Sequence, residues 1–202
     1  MPVKSAVKAK SRLRVDPALR RALARAMAID TISAVASADP VGRTVVVVED
    51  VHDGAPLAAL PGVRIVLTRT RELNAAILDA LAQVPDQTGP VAVVPADLPS
   101  LTGAELAGAL SMAAAHRCSV VPDRAGTGTT MLAAHPAALL RPQFGEGSFR
   151  RHVAGGAVPL PVPTRCGLRR DVDLIADLYS ATGPATTAVL ADIGPSTARM
   201  TG

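Results

Sequence analysis

Apolar positions recur along this chain in two periods, and segments of each period alternate. Asp16-Pro17 reads as an N-cap followed by a first helical residue. Residues 18–38 then carry Leu19, Leu23, Met27 and Ile32 at helical spacing. Thr44-Val45-Val46-Val47-Val48 is apolar without alternation, the pattern of a strand buried on both faces. Val63-Arg64-Ile65-Val66-Leu67 predicts a second strand, and residues 72–84 regain helical spacing through Leu73, Ile77, Leu78 and Leu81. Val91-Ala92-Val93-Val94 is a short apolar strand, followed by a helix over 102–116 in which Thr102 and Glu105 are placed for a capping box. Ser119-Val120-Val121 and Thr130-Met131-Leu132-Ala133-Ala134 read as strands on either side of a glycine-threonine loop. Further on, 148–154 reads as a helix start, 158–162 as a proline-rich edge, 169–172 as a short strand and 174–181 and 184–191 as helices, with a loose tail from Asp192. Strand–helix alternation in the first half predicts an α/β fold, a mostly parallel sheet between helices. No repeat or long linker divides the 202 residues, so residues 1–202 are expected to form a single domain.

Composition narrows the classes. With no Trp and one Tyr, alanine and valine must do most of the packing. No apolar run reaches the roughly 18 residues of a membrane span, and the basic N-terminus never becomes the apolar core of a secretory signal. Cys118 and Cys166 make no zinc pattern, so a reduced, cytoplasmic protein with no membrane partner is expected. The net charge is +4, with basic residues crowded into 4–25 and 141–170. Basic–aromatic interleaving is missing, so small anions fit this charge better than nucleic acid. Arg20, Arg21 and Arg25 read as a solvated basic face.

Several segments carry chemistry. Asp123-Arg124-Ala125-Gly126-Thr127-Gly128-Thr129-Thr130 follows an apolar run and offers hydroxyls and exposed amides to an oxyanion, or else is a tight turn between strands. Val94-Pro95-Ala96-Asp97-Leu98-Pro99 places a carboxylate at the carboxyl end of a strand, where open α/β sheets bind ligands; the other reading is a turn aspartate. Asp171-Val172-Asp173, read as a strand, puts two carboxylates on one face. With Asp97 they suit magnesium, which prefers oxygen ligands and phosphate co-ligands. The alternative makes Asp173 a helix N-cap and pairs Asp171 with Arg169 or Arg170. Phe144-Gly145-Glu146-Gly147-Ser148-Phe149-Arg150-Arg151-His152 reads as an anion site at a helix start, with Arg150 or Arg151 adding charge, or as a glycine loop capped by Ser148. The basic stretch from Lys4 to Arg14 suits a triphosphate or a disordered leader, and Asn74 lies at a helix start.

In this order, these segments resemble the 2-phospho-L-lactate or phosphoenolpyruvate guanylyltransferases of deazaflavin coenzyme F-420 biosynthesis. The matching stretches are Pro2-Val3-Lys4, Ala9-Lys10-Ser11-Arg12-Leu13, Leu73-Asn74-Ala75-Ala76, Pro95-Ala96-Asp97-Leu98-Pro99, 123–130, 144–152, 168–173 and Ala176-Asp177-Leu178. The resemblance implies a nucleotide-diphospho-sugar-transferase-like, Rossmann-like mixed sheet flanked by helices. It also implies transfer of GMP from GTP to a small phospho-carboxylate with release of pyrophosphate. Carried over, Asp97, Asp171 and Asp173 would be catalytic and hold magnesium. Thr129, Gly145 and Ser148 would bind the acceptor, and Lys10, Arg12 and Asn74 would face the nucleotide. The protein would act as a monomer or homodimer.

Two positions depart from the resemblance. The family normally has an apolar first strand before Pro-Val-Lys, whereas this chain opens on Met1-Pro2, so either the start is misassigned or that strand is expected to be truncated; and Glu72 stands where a glycine is usual before Leu73-Asn74. Leu174-Ile175 also replaces a common Thr-Pro. Two other readings follow: a nucleotidyltransferase of the molybdopterin or sugar-phosphate type, and a non-catalytic truncated paralogue.

Overall fold

A computed structural model of the chain describes residues 1–3, 13, 15–84, 86–178 and 183–192. Helix α1 (Pro17–Ala36) starts as its sequence predicts, with the Asp16 carboxylate accepting the amides of Ala18 and Leu19. Strands β1 (Thr44–Val48) and β2 (Val63–Leu67) pair in parallel, Thr44 opposite Val63 and Val48 opposite Leu67. Between them lies α2 (Val51–Ala58), capped by Asp50, which the hydrophobic pattern does not announce because its core-facing residues are only Gly54 and Leu57. Helix α3 (Leu73–Ala82) and strand β3 (Val91–Val93) follow, then α4 (Gly103–Ala113) with the expected capping box complete.

Strands β4 (Cys118–Pro122) and β5 (Thr129–Ala134) form a hairpin around the glycine-threonine loop. The second sheet runs β3-β5-β4-β6, with β5 antiparallel to both neighbours and β6 (Val158–Pro159) parallel to β4. Alternation therefore gives the right layers but the wrong sense for this half: the sheet is mixed, not mostly parallel. A strand buried on both faces looks the same in either direction, and all six residues of β5 are buried. Helix α5 (Ser148–Ala154) falls where expected. The strand expected at 169–172 is instead a single 3₁₀ turn, Gly167–Arg169, running into irregular backbone. Short α6 (Ile175–Leu178) and α7 (Pro184–Asp192) complete the described chain. The expected loose tail from Asp192 lies, after that residue, outside the described residues.

The period-2 alternation of the strands sorts the core onto two faces. Val121, Met131 and Ala133 pack with α4 and the end of α1, whereas Val120, Leu132 and Ala134 pack with Ile77 of α3 and Phe144. In the first sheet Val46 and Val48 face Ala28, Ile32 and Leu57, while Val47 faces Ala76 and Ala80 of α3. Helices α1, α2 and α4 thus cover one face and α3 the other.

The first residues add to the first sheet. Residues 1–3 lie parallel along β1: Val47 donates to the Met1 carbonyl and Val3 donates to the Val47 carbonyl, both at 2.9 Å. The Met1 amine donates to the Val45 carbonyl at 2.6 Å. Ladder pairing among the described residues stops there, and the sheet is two pieces joined by packing instead of one continuous ladder. Helix α7 is tied in from a distance. The Asp30 carboxylate on α1 accepts the amides of Ala185 and Thr186 and the Thr186 hydroxyl at 2.9, 2.8 and 2.6 Å, satisfying donors that a helix start leaves open. No described helix is long and apolar enough to cross a membrane.

Candidate active site

A cavity of about 650 Å³ opens where β3 and β4 end and the antiparallel β5 begins. One wall holds Asp97, Asp171 and Asp173; another holds Thr129, Gly145 and Ser148. Six of the residues singled out from the sequence therefore line one space.

The acidic wall is assembled by hydrogen bonds between backbone and side chains. Asp97 follows β3, and the next amide, Leu98, donates to the Thr31 hydroxyl, which itself donates to the Met27 carbonyl on α1. The amide of Val172 donates to the Asp97 carbonyl at 3.1 Å, which brings 171–173 alongside. Val172 is buried, and it separates half-buried Asp171 from exposed Asp173. The two carboxylates reach the same cavity without strand geometry, so the same-face argument from a period of two does not apply to them. Upstream, Gly167 packs so tightly on the Ser100 carbonyl that a Cβ could not fit there. Its amide donates to the Glu105 carboxylate at 2.9 Å. Burial raises the Glu105 pKa, but the amides of Gly167 and Thr102 and the Thr102 hydroxyl outweigh it and hold the carboxyl below its usual value.

Arg169 spends its guanidinium on the carbonyls of Asp123 and Val162, and so ties this segment to the glycine-threonine loop. Among the described residues, no three of His, Cys, Asp or Glu converge closely enough to hold a metal ion. The three carboxylates have the right donor chemistry for magnesium, and an ion among them would draw the rest of its shell from water and phosphate oxygens.

The opposite wall is built differently. The loop amides of Thr127 and Gly128, expected to serve an oxyanion, are spent on the Asp123 carboxylate at 2.9 and 2.7 Å. A Cβ at Gly128 would sit 2.5 Å from that carboxylate, so the residue has to be glycine. Asp123 thus closes the loop, which lines the cavity with Asp123, Thr127, Gly128, Thr129 and Thr130. Gly147, in the left-handed region at φ +67, turns the chain into α5. The amides of Ser148 and Phe149 donate to the carbonyls of Gly145 and Thr127, joining the two loops. The helix-start amides expected to take an anion are in these two cases already used.

The buried hydroxyl of Ser148 donates to Thr129 Oγ1 at 3.1 Å. His152, also buried, lies with Nδ1 2.9 Å from the same oxygen, and its Nε2 accepts the Gln143 amide at 2.9 Å. Burial, with the nearby Arg151 charge, pushes the imidazole down to about 4, so it is neutral at pH 7.

Other expectations fall elsewhere. Lys10 and Arg12, expected to face the nucleotide, lie outside the described residues. Asn74, given the same task, is not on the cavity wall: its carboxamide donates to the Phe144 carbonyl and accepts the Phe144 amide, clamping the start of the glycine loop. Arg151 donates to the carbonyls of Glu146 and Gln143, and neither it nor Arg150 lines the cavity. Glu72 lines a separate small space with Arg71, Glu49 and Pro2. Arg25, read as part of a solvated face, lines the main cavity beside Asp53, 3.8 Å from its carboxylate. Helical spacing held the signal for Arg25, because Ala28 and Ile29, three and four residues on, share its face and line the same cavity. Asp53 belongs to α2, the element that periodicity misses.

Layers, mixed sheet and a cleft at the strand ends together define a nucleotide-diphospho-sugar-transferase-like fold. Solved structures agree on the fold. A Desulfovibrio desulfuricans protein described as a nucleotide-diphospho-sugar transferase matches with TM-score 0.71 and 16% identity, covering 95% of this chain and 92% of that one. A nucleotidyl transferase from Methanothermobacter matches with TM-score 0.57 and 16% identity over 95% and 97% of the two chains.

The family model described as "Guanylyl transferase CofC like" matches residues 1–157, and the chain belongs to that family. A phosphoenolpyruvate guanylyltransferase of Streptomyces coelicolor is 41% identical over 95% of this chain and 94% of its own length. Another, of Streptomyces avermitilis, is 43% identical over 95% and 92%.

Proposed function

We propose that this protein transfers GMP from GTP to phosphoenolpyruvate, releasing pyrophosphate, as a step of coenzyme F-420 biosynthesis. The observation that carries the reading is the single cavity with carboxylates on one wall and the Thr129–Ser148 hydroxyl pair on the other. The phosphate of the acceptor attacks the α-phosphorus of GTP. A new phosphoanhydride bond forms, the bond from α-phosphorus to the bridging oxygen breaks, and pyrophosphate leaves with that electron pair. The acceptor is already an anion, so the chain needs no strong general base. Its work is positioning and charge neutralisation.

Asp97, Asp171 and Asp173 would hold magnesium, which when bound neutralises the phosphate charge that the carboxylates cannot. Thr129, Gly145 and Ser148 would hold the acceptor. Arg25, together with Lys10 and Arg12, would supply positive charge for the nucleotide. The named activity of the relatives supports phosphoenolpyruvate over 2-phospho-L-lactate as acceptor. Mixing the protein with GTP, magnesium and either acid and measuring pyrophosphate tests this. Folded protein that releases none with any phospho-acid would refute it.

A further inference from the structure

Three side chains behind the Thr129 wall form a hydrogen-bonded chain whose protons can be placed by counting. The Gln143 amide can only donate, and it lies 2.9 Å from His152 Nε2, so Nε2 carries no hydrogen. A neutral imidazole has one hydrogen, which must then be on Nδ1. Nδ1 lies 2.9 Å from Thr129 Oγ1 and donates to it. Ser148 donates to the same oxygen at 3.1 Å. A hydroxyl has two lone pairs and one hydrogen. Both lone pairs of Thr129 are taken, leaving only its hydrogen, and Thr129 lines the cavity.

We infer that His152, held as the Nδ1–H tautomer, is a positioning residue that fixes the Thr129 hydroxyl as a hydrogen-bond donor to an anionic oxygen of the acceptor. The inference rests on the proposed placement of the phospho-carboxylate at Thr129. Without the imidazole, Thr129 can rotate and present a lone pair to the anion as readily as its hydrogen. Ser148 cannot replace it, because its own hydrogen is spent on Thr129. The ring is held in place by an edge contact with Phe144, centroids 5.2 Å apart at 69°. The charge that acts on it among the described residues, Arg151, is tethered to the Glu146 and Gln143 carbonyls. Burial keeps the ring neutral, so the arrangement persists across ordinary working pH. The wall then favours an acceptor oxygen that bears charge and no hydrogen, as phosphate and carboxylate oxygens do.

The test has two arms. In the full-length protein labelled with nitrogen-15 histidine, long-range proton–nitrogen correlation at neutral pH reads which ring nitrogen carries hydrogen. Four histidines are present, and His152 is identified by the signal that shifts in the near-isosteric Thr129→Val variant. A protonated Nδ1 with a bare Nε2 is expected; hydrogen on Nε2, or exchange between tautomers, overturns the inference without reference to any substrate.

The second arm compares two substitutions. His152→Asn keeps a donor near the Nδ1 position, and His152→Gln keeps an acceptor near the Nε2 position. The Gln variant should raise the KM for phosphoenolpyruvate roughly tenfold or more, with the KM for GTP unchanged, and the Asn variant should recover part of the loss. Equal changes in both variants that follow their melting temperatures would make His152 structural and overturn the inference. If the wild-type protein does not use phosphoenolpyruvate at all, the proposed function fails and the acceptor half of the inference fails with it; the tautomer result is read separately.

Discussion

The two walls of the cavity are built differently. On the Thr129 side a set of hydrogen bonds lies behind the surface: Asp123 closes one loop, Asn74 clamps the next, and His152 and Ser148 converge on one oxygen. On the Asp97 side three carboxylates share the space, yet no three acidic or imidazole groups converge among the described residues. One wall is preorganised by hydrogen bonds between its loops; on the other the Val172 amide brings 171–173 alongside Asp97, and the proposed task of those carboxylates is to manage charge in the transfer step. The first should therefore respond to substitution mainly through acceptor affinity, and the second through turnover.

The largest expected effect tests that division on the acidic side. Asp97→Asn preserves shape and removes charge, and should lower kcat by roughly a thousandfold, the scale for losing one main electrostatic contact to a transition state. Steady-state rates on protein with an unchanged circular dichroism spectrum check it. A fall confined to the KM for phosphoenolpyruvate would place Asp97 on the wrong wall.

Next comes acid stability. His152 has its pKa lowered from 6.5 to about 4, so between those values the unfolded chain binds a proton that the folded one does not. Stability should then fall as pH drops from 6.5 towards 4, by up to about 1.4 kcal/mol per unit from this group. Denaturant midpoints for wild type and His152→Gln across that range measure it. Parallel curves would mean that the ring is not the titrating group.

On the preorganised wall, Thr129→Val should raise the KM for phosphoenolpyruvate and spare GTP. A hydrogen bond to a charged partner contributes about 1.5–3 kcal/mol, so the KM should rise roughly tenfold to a hundredfold. Equal losses for both substrates would put the loop against the nucleotide instead.

The same contrast explains what the sequence discloses. Strand and helix positions are legible because β1 is a continuous apolar run buried on both faces, α3 and α4 bury apolar faces at helical spacing, and the Thr102–Glu105 box marks a helix start by chemistry alone. Helix α2 is missed because it buries a glycine and one leucine. The segment 169–172 is misread as a strand because the turn at 167–169 that leads into it is set by long-range contacts with Ser100 and Glu105, which no local pattern carries. Residue type indicated that Asp97, Thr129 and Ser148 belong to a site. It did not show that the amides of Thr127 and Gly128 would be spent on Asp123, or that Asn74 and Arg169 would bind carbonyls. Local spacing indicates which groups are near in the chain, and their hydrogen-bond partners are decided by the fold.

The smallest expected effect concerns how the acidic wall is held. Glu105 caps α4 and at the same time accepts the Gly167 amide, anchoring the turn that leads to Asp171 and Asp173. Glu105→Gln keeps the size and one acceptor oxygen but gives up the charge, which should cost about 1 kcal/mol of stability. Because the folded carboxyl has its pKa lowered, its contribution is present above the unfolded value and is lost as pH falls through the folded one. The wild-type advantage over the Gln variant should therefore shrink as carboxylates protonate. The KM for phosphoenolpyruvate should hold steady while kcat slips slightly, because the disturbed segment carries Asp171 and Asp173 and leaves Thr129 in place. A change in acceptor KM as large as that of Thr129→Val would mean that the two walls move as one body through Arg169, whose guanidinium spans from the Asp123 carbonyl to the Val162 carbonyl.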